Sequence, residues 1–172
     1  VNANANKLEL LLNGKRLGKK VMPRNSHLQW SVPYEAGKLE AIAYKKGKKI
    51  TSSLETSGEP AEVVITPYKT TMLANGKDAT VINVSVIDKQ GREVPDADNL
   101  IQFTLEGDAK IIGVGNGDPS SHEPDKIIEG NWQRSAFNGK CQVIVQSGKT
   151  PGHINIKASS KGLWYGSTDI IT

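Results

Sequence analysis

The stretch ATVINVSVIDKQG, residues 79–91, decides the fold. Thr80, Ile82, Val84 and Val86 alternate with Val81, Asn83 and Ser85, the period of two at which successive side chains point to opposite faces of a strand. Asp88-Lys89-Gln90-Gly91 then turns the chain, since Asp bonds its own following backbone and Gly accepts positive φ. The same grammar extends both ways. Upstream, Asn75-Gly76 marks a turn and Glu62 to Thr66 a short strand stopped by Pro67. Downstream, Ile101, Phe103 and Leu105 form an apolar face, followed by Ile111 to Val114, Gln142 to Gln146, and Ile154, Ile156 and Ala158. A last strand is expected after Leu163-Trp164-Tyr165. Seven or more short strands separated by turns predict an immunoglobulin-like sandwich. No stretch has the i, i+3, i+4, i+7 stripe of a helix, so a parallel sheet, which needs crossover connections, is not expected.

Residues before this region read the same way on a smaller scale. Leu8, Leu10 and Leu12 alternate with Lys7, Glu9 and Leu11, and Asn13-Gly14 supplies the tight hairpin turn that returns the chain from Lys15 to Val21. Leu28, Trp30 and Val32 predict a further strand ended by Pro33, with Trp30 facing a core. Leu39 to Tyr44 and Ile50 to Thr56 flank a lysine-rich tip, Lys45-Lys46-Gly47-Lys48-Lys49. Charge separates the two regions: residues 1–58 carry a net +7 and residues 59–172 a net −3. The break at Ser57-Gly58-Glu59-Pro60 has linker chemistry, which predicts two domains, 1–58 and 59–172. Fewer than sixty residues are short for a sandwich. The opening strands of the first domain are therefore expected upstream of Val1, leaving an edge or face uncovered.

Nothing approaches the run of about 18 apolar residues that spans a membrane, and no charged-then-apolar leader is present. Because the chain opens on Val1 rather than Met, it is expected to be a piece of something longer. Cys141, the single cysteine, has no internal partner and reads as a buried thiol on a strand.

From Ala109 to Lys140 the strand grammar lapses. Gly113, Gly115 and Gly117 alternate with Val114 and Asn116, and Asp118-Pro119 opens a polar excursion that reaches Trp132. Loops beyond about 12 to 15 residues in a compact domain are usually functional or mobile. Asn116, Asp118, His122, Glu123 and Trp132 are accordingly the candidate contacts, with carbohydrate or with a neighbouring domain; the plain alternative is a surface connection. Asp118, His122, Glu123 and Asp125 lack the alternation of a calcium loop, and His122 alone does not make a zinc site, so no metal or cofactor is expected. Asn116 and Asp118 are expected to bond nearby amides and hold the glycines in a turn, and His122 and Glu123 to pair. Ser120, Ser121, His122 and Asp125 lie too close in sequence for a triad assembled from distant positions. No helix follows the glycines, as dinucleotide binding would require.

Aromatic faces stack on the apolar faces of sugar rings, which makes Trp132 a candidate, with Trp164 and Tyr165 behind it. His27 and His153 read as solvated. The lysine tip lacks interleaved aromatics apart from Tyr44, so a solvated hairpin rather than a nucleic-acid partner is expected.

Two sets of residues carry a resemblance. Lys7-Leu8-Glu9-Leu10-Leu11-Leu12-Asn13-Gly14-Lys15, Trp30-Ser31-Val32-Pro33-Tyr34 and Gly37-Lys38-Leu39-Glu40-Ala41-Ile42-Ala43-Tyr44 resemble the small β-sandwich module that follows the catalytic barrel in bacterial glycoside hydrolase family 2 enzymes. The run from Asp88 to Ile101, with Gly113-Val114-Gly115-Asn116-Gly117-Asp118-Pro119, Ser121-His122-Glu123 and Ala136-Phe137-Asn138-Gly139-Lys140-Cys141, is similar to the carboxy-terminal domain of family 2 β-galactosidases. The resemblance implies a non-catalytic fragment that packs against the catalytic barrel of its own parent chain. It also implies a parent that cleaves terminal β-galactosides, in the periplasm or outside the cell. A (β/α) barrel needs about 250 residues, more than this chain holds. An independent carbohydrate-binding module and a cell-surface adhesion repeat are the alternatives.

Overall fold

A computed structural model of the chain describes residues 1–127 and 130–172. It divides into two compact units, Val1–Thr56 and Ser57–Thr172. All twelve elements among the described residues are strands, as the alternation of the sequence leads one to expect.

Unit 1 is one antiparallel sheet built from β1 (Lys7–Leu12), β2 (Lys15–Val21), β3 (Lys38–Lys45) and β4 (Lys48–Glu55), in the order β2-β1-β3-β4. Asn13 at φ 50° and Gly14 at φ 78° make the first hairpin turn, a left-handed pair that few residues other than Asn and Gly adopt cheaply. Across the sheet, Leu8, Leu10 and Leu12 stand opposite Ala43, Ala41 and Leu39, which in turn face Ile50, Ser52 and Leu54. These nine residues therefore share one face. On the other face Glu9 pairs with Arg16 and accepts a 2.9 Å hydrogen bond from the Tyr44 hydroxyl.

The strand expected over Leu28 to Val32 does not form. Leu28 exchanges both backbone bonds with Val1, at 2.7 and 3.0 Å, yet no ladder continues from there. Alternation supplies an apolar face, but a strand also needs a backbone partner. Leu28 is buried all the same. Trp30 is half-buried rather than in a core, with Lys20 Nζ 4.8 Å from its ring and its indole N–H lacking an acceptor among the described residues. Where the sequence suggests a shortened sandwich, the described residues of unit 1 thus provide a single sheet.

Unit 2 is a two-sheet, immunoglobulin-like sandwich. One sheet runs β5 (Pro60–Pro67), β6 (Ala79–Asp88), β10 (Lys140–Ser147), β8 (Ala109–Gly115); the other runs β12 (Gly166–Ile171), β11 (His153–Ser159), β7 (Leu100–Glu106), β9 (Trp132–Ser135). Ile82, Val84 and Val86 from β6, Val143 and Val145 from β10, Ile101 from β7, and Ile154 and Ile156 from β11 fill the space between them. Within the described strands, prolines sit only at the two ends of β5, where a missing N–H costs the ladder least. Strand β9 was not foreseen, because WQRS is short and polar. It pairs with β7, Trp132 opposite Phe103 and Arg134 opposite Ile101.

A left-handed pair recurs before β10: Asn138 and Gly139 have φ of 51° and 74°, and a Cβ added to Gly139 would lie 2.3 Å from the Val94 carbonyl oxygen. Only glycine fits there.

Candidate functional site

Strands β8 and β9 are the last strands of their respective sheets, and the excursion joins them. It spans the side of the sandwich where the two sheets would otherwise expose adjacent edges. Its residues 128 and 129 lie outside the described ones. Gly113 and Gly115 belong to β8 and have no positive φ, so they are strand residues rather than the turn that was expected. The returning limb bonds to the outer side of β8, where the Val114 amide donates to the Asp125 carbonyl at 3.0 Å.

Arg134 organises this loop. Its position opposite Ile101 turns it inward, and its side chain is only 5% exposed. One terminal nitrogen donates to the Glu123 carbonyl at 2.8 Å and to Asp125 Oδ1 at 3.1 Å. The other donates to Asn116 Oδ1 at 3.0 Å and Ser121 Oγ at 3.2 Å. Arg134 Nε stands 3.8 Å from Glu123 Oε2 and has no hydrogen-bond acceptor among the described residues. A guanidinium this deep needs such a fork of acceptors, because an unpaired buried charge costs several kcal/mol, about 3 to 5 when one partner of a buried pair is removed.

The candidates Asn116 and Glu123 are therefore brought together around a residue that the sequence reading missed, and Asp118 joins them through its amide bond to Asn116. Asn116 also donates to the Ser135 carbonyl at 2.9 Å and accepts from the Asp118 amide at 3.1 Å. Burial alone would push the Glu123 carboxyl up, but hydrogen bonds from Ser135 and the charge of Arg134 outweigh it and hold it below its ordinary 4.5. The Ser120 hydroxyl and amide hold Asp118 low, against burial. Glu123 spends its carboxylate on the Ser135 amide, at 2.9 Å, and on Arg134; the expected pairing with His122 gives way to the stronger cation. His122 is exposed. The signal that could have found Arg134 is an arginine in register with an inward-facing strand position, close in sequence to a carboxylate-rich loop.

Trp132 is the first residue of β9 and packs against the core instead of being held out on a loop. Trp164, by contrast, is 76% exposed, and the neighbouring Tyr165 ring has Lys157 Nζ 3.8 Å from its centre. His27 and His153 are exposed, as are Lys46, Lys48 and Lys49 at the lysine tip. Cys141 is buried on β10, and burial pushes its thiol up to about 12.

Chemically, this arrangement stabilises a connection. Among the described residues no three His, Cys, Asp or Glu side chains gather to hold a metal ion. Two of the loop's carboxylates, those of Glu123 and Asp125, converge on the Arg134 guanidinium, and that of Asp118 accepts from Ser120.

Comparison with known proteins places this scaffold. Residues 63–168 match the family model described as glycoside hydrolase family 2 C-terminal domain 5, and residues 1–51 match a domain of unknown function (DUF4982). A β-galactosidase of Bacteroides ovatus is 40% identical over 92% of this chain and 18% of its own length. A putative β-glucuronidase of Formosa agariphila is 30% identical over 86% of this chain and 14% of its own. Among solved structures, a glycosyl hydrolase family 2 member from Bacteroides cellulosilyticus superposes with a TM-score of 0.87 at 35% identity, covering 97% of this chain and 23% of that one. The chain thus spans less than a fifth of the length of these two curated relatives. With the first of those family models matched over more than half of its residues, the chain belongs to the glycoside hydrolase family 2 C-terminal domain 5 family.

Proposed function

We propose that the chain is a non-catalytic accessory piece of a family 2 glycosidase: two successive modules, 1–58 and 59–172, that pack against the catalytic domain of their own parent chain. The parent hydrolyses a terminal β-glycoside of the galactoside or glucuronide kind, in the periplasm or outside the cell. Relatives named β-galactosidase and β-glucuronidase support the substrate class. The observation that carries the non-catalytic reading is the inward turn of the excursion onto Arg134. A retaining glycosidase needs two carboxyl groups about 5 to 5.5 Å apart across a sugar-sized cleft, and here the carboxylates of Glu123 and Asp125 are committed to a cation. The purified chain should leave chromogenic β-galactosides and β-glucuronides intact while the intact parent turns one of them over. Turnover by a contaminant-free preparation of the chain alone would sink this reading.

A second reading, contact with carbohydrate, rests on Trp164 rather than Trp132, because Trp164 presents its ring to solvent. Calorimetric titration with galactosides should then give heat that Trp164→Ala abolishes. No heat with any sugar leaves the packing role alone.

A further inference from the structure

The register of unit 1 sorts its charges to opposite ends of the sheet. Lys7 stands opposite Val21 and Tyr44, and Leu12 opposite Lys15 and Leu39. The Leu12 end carries three acids: Glu40 and Glu55 lie within 4.0 Å of Lys38 Nζ, and Glu35 accepts from Asn13. The fourth acid of residues 1–58, Glu9, pairs with Arg16. No Asp or Glu belongs to the other end. Lys7, Lys19, Lys20 and Arg24 lie there, along β1, β2 and the chain that leaves β2. Lys45, Lys46, Lys48 and Lys49 join them at the hairpin between β3 and β4. Of the eleven cations in residues 1–58, all but Lys15, Arg16 and Lys38 thus gather where there is no carboxylate.

A cleft opens at this basic end. Its volume is about 770 Å³, and residues 3–7 and 21–26 line it; small-ligand clefts span about 300 to 1,000 Å³. Backbone bonds hold its two limbs. The Asn6 amide donates to the Tyr44 carbonyl at 2.9 Å, and the Met22 amide to the Asn6 carbonyl at 3.0 Å. Asn25, at φ 56°, turns the second limb. Lys45 Nζ reaches the first and donates to Asn4 Oδ1 at 2.5 Å. Among the described residues, the side chains of Asn6, Asn25 and Ser26 make no hydrogen bond, and neither Lys7 nor Arg24 has a carboxylate partner. The cleft therefore presents unspent donors and two unneutralised cations.

We propose that this basic cleft binds an acidic glycan, a sugar chain bearing carboxylate or sulfate groups. Ala3, Ala5 and Pro23 offer apolar surface to the flat faces of sugar rings, while Asn6, Asn25 and Ser26 bond hydroxyls. Lys7 and Arg24 take the anionic groups, Arg24 through the paired N–H geometry that matches them. The hairpin lysines draw the polymer in over a range of about 10 Å at moderate salt. Nucleic acid fits worse, because its bases stack on bare aromatic rings and the rings beside these cations are taken. Lys19 Nζ lies 4.1 Å from the centre of the Tyr44 ring, whose hydroxyl donates to Glu9, and Lys20 Nζ lies 4.8 Å from that of Trp30. The inference goes beyond the packing role and does not depend on what the parent cleaves.

Calorimetric titration of the chain with oligogalacturonate and with a sulfated galactan tests this. At least one should bind, neutral galactan should not, and the affinity should fall about tenfold between about 50 and 200 mM salt. Lys7→Gln combined with Arg24→Gln should weaken binding about tenfold or more with the thermal midpoint unchanged, since both side chains are exposed. Lys15→Gln combined with Lys161→Gln removes the same charge elsewhere and should weaken it less than about twofold. No binding to either glycan overturns the proposal. So does equal weakening by the two double variants, which would leave only diffuse attraction by net charge. Tighter binding of single-stranded DNA than of either glycan would give the cleft to another partner and overturn it as well.

Discussion

Isoleucine serves opposite ends in the two units. Ile82 on β6 has no exposed surface, enclosed between the sheets of unit 2, whereas Ile50 on β4 of unit 1 leaves most of its side chain to solvent. Both sit in alternating strands and both face the apolar side of a sheet. What separates them is whether a second layer is present. Alternation specifies that a face wants cover; only the remainder of the fold supplies it. Unit 2 carries its own second sheet and fills the gap between its edges with a loop gathered on Arg134. Unit 1 has a single sheet.

The comparison can be broken most forcefully at Ile82. Ile82→Ala should destabilise unit 2 by about 3 to 4 kcal/mol, the usual cost of a core cavity, read as a lower denaturant midpoint. Arg134→Met should cost about 2 to 3 kcal/mol, because Asn116 and the Glu123 carbonyl keep their places without a donor. Its signature is faster amide exchange at Ser135 and Val114, and Arg134→Lys should recover only part, since an ammonium cannot fork to both sides of the loop. Acid acts through the same loop. With the folded Glu123 carboxyl held below 4.5, its contribution is present above that pH and disappears as pH falls through the lower folded value. Thermal midpoints should fall below pH 4.5, and Glu123→Gln should weaken that dependence. Native Cys141, buried with its thiol near 12, should resist alkylation at pH 8 at any rate faster than unfolding. Smallest of all, Ile50→Ala in this chain should change stability by no more than about 0.5 kcal/mol; a larger loss would mean that Ile50 is already covered.

Much of this was legible because strand period and turn chemistry are local. Thr80 to Val86, Asn13-Gly14 and Lys15 to Val21 need no distant information to be read. Trp132 to Ser135 was not legible: four residues with one aromatic and one cation form a strand only because β7 offers a free edge. Leu28 to Val32 failed in the opposite sense, with a convincing pattern and no partner beyond Val1. In the excursion, Asn116 and Glu123 stand out by their chemistry, but both bond around Arg134, whose depth follows from pairing with Ile101 rather than from any neighbour in sequence.

The seam between β5 and β12 has a consequence for biogenesis. Glu62 pairs with Trp164 and Thr71 with Ile171, both in parallel, so the opening strand of unit 2 waits for nearly the final residues of this sequence. On the ribosome, β5 and β6 can form their hairpin early, but the sandwich cannot shut until residues through Ile171 have left the exit tunnel. Such long-range closure is slow, and a nascent chain stalled before Trp164 would expose Val63 and Ile65 to whatever chaperone or aggregate reaches them first.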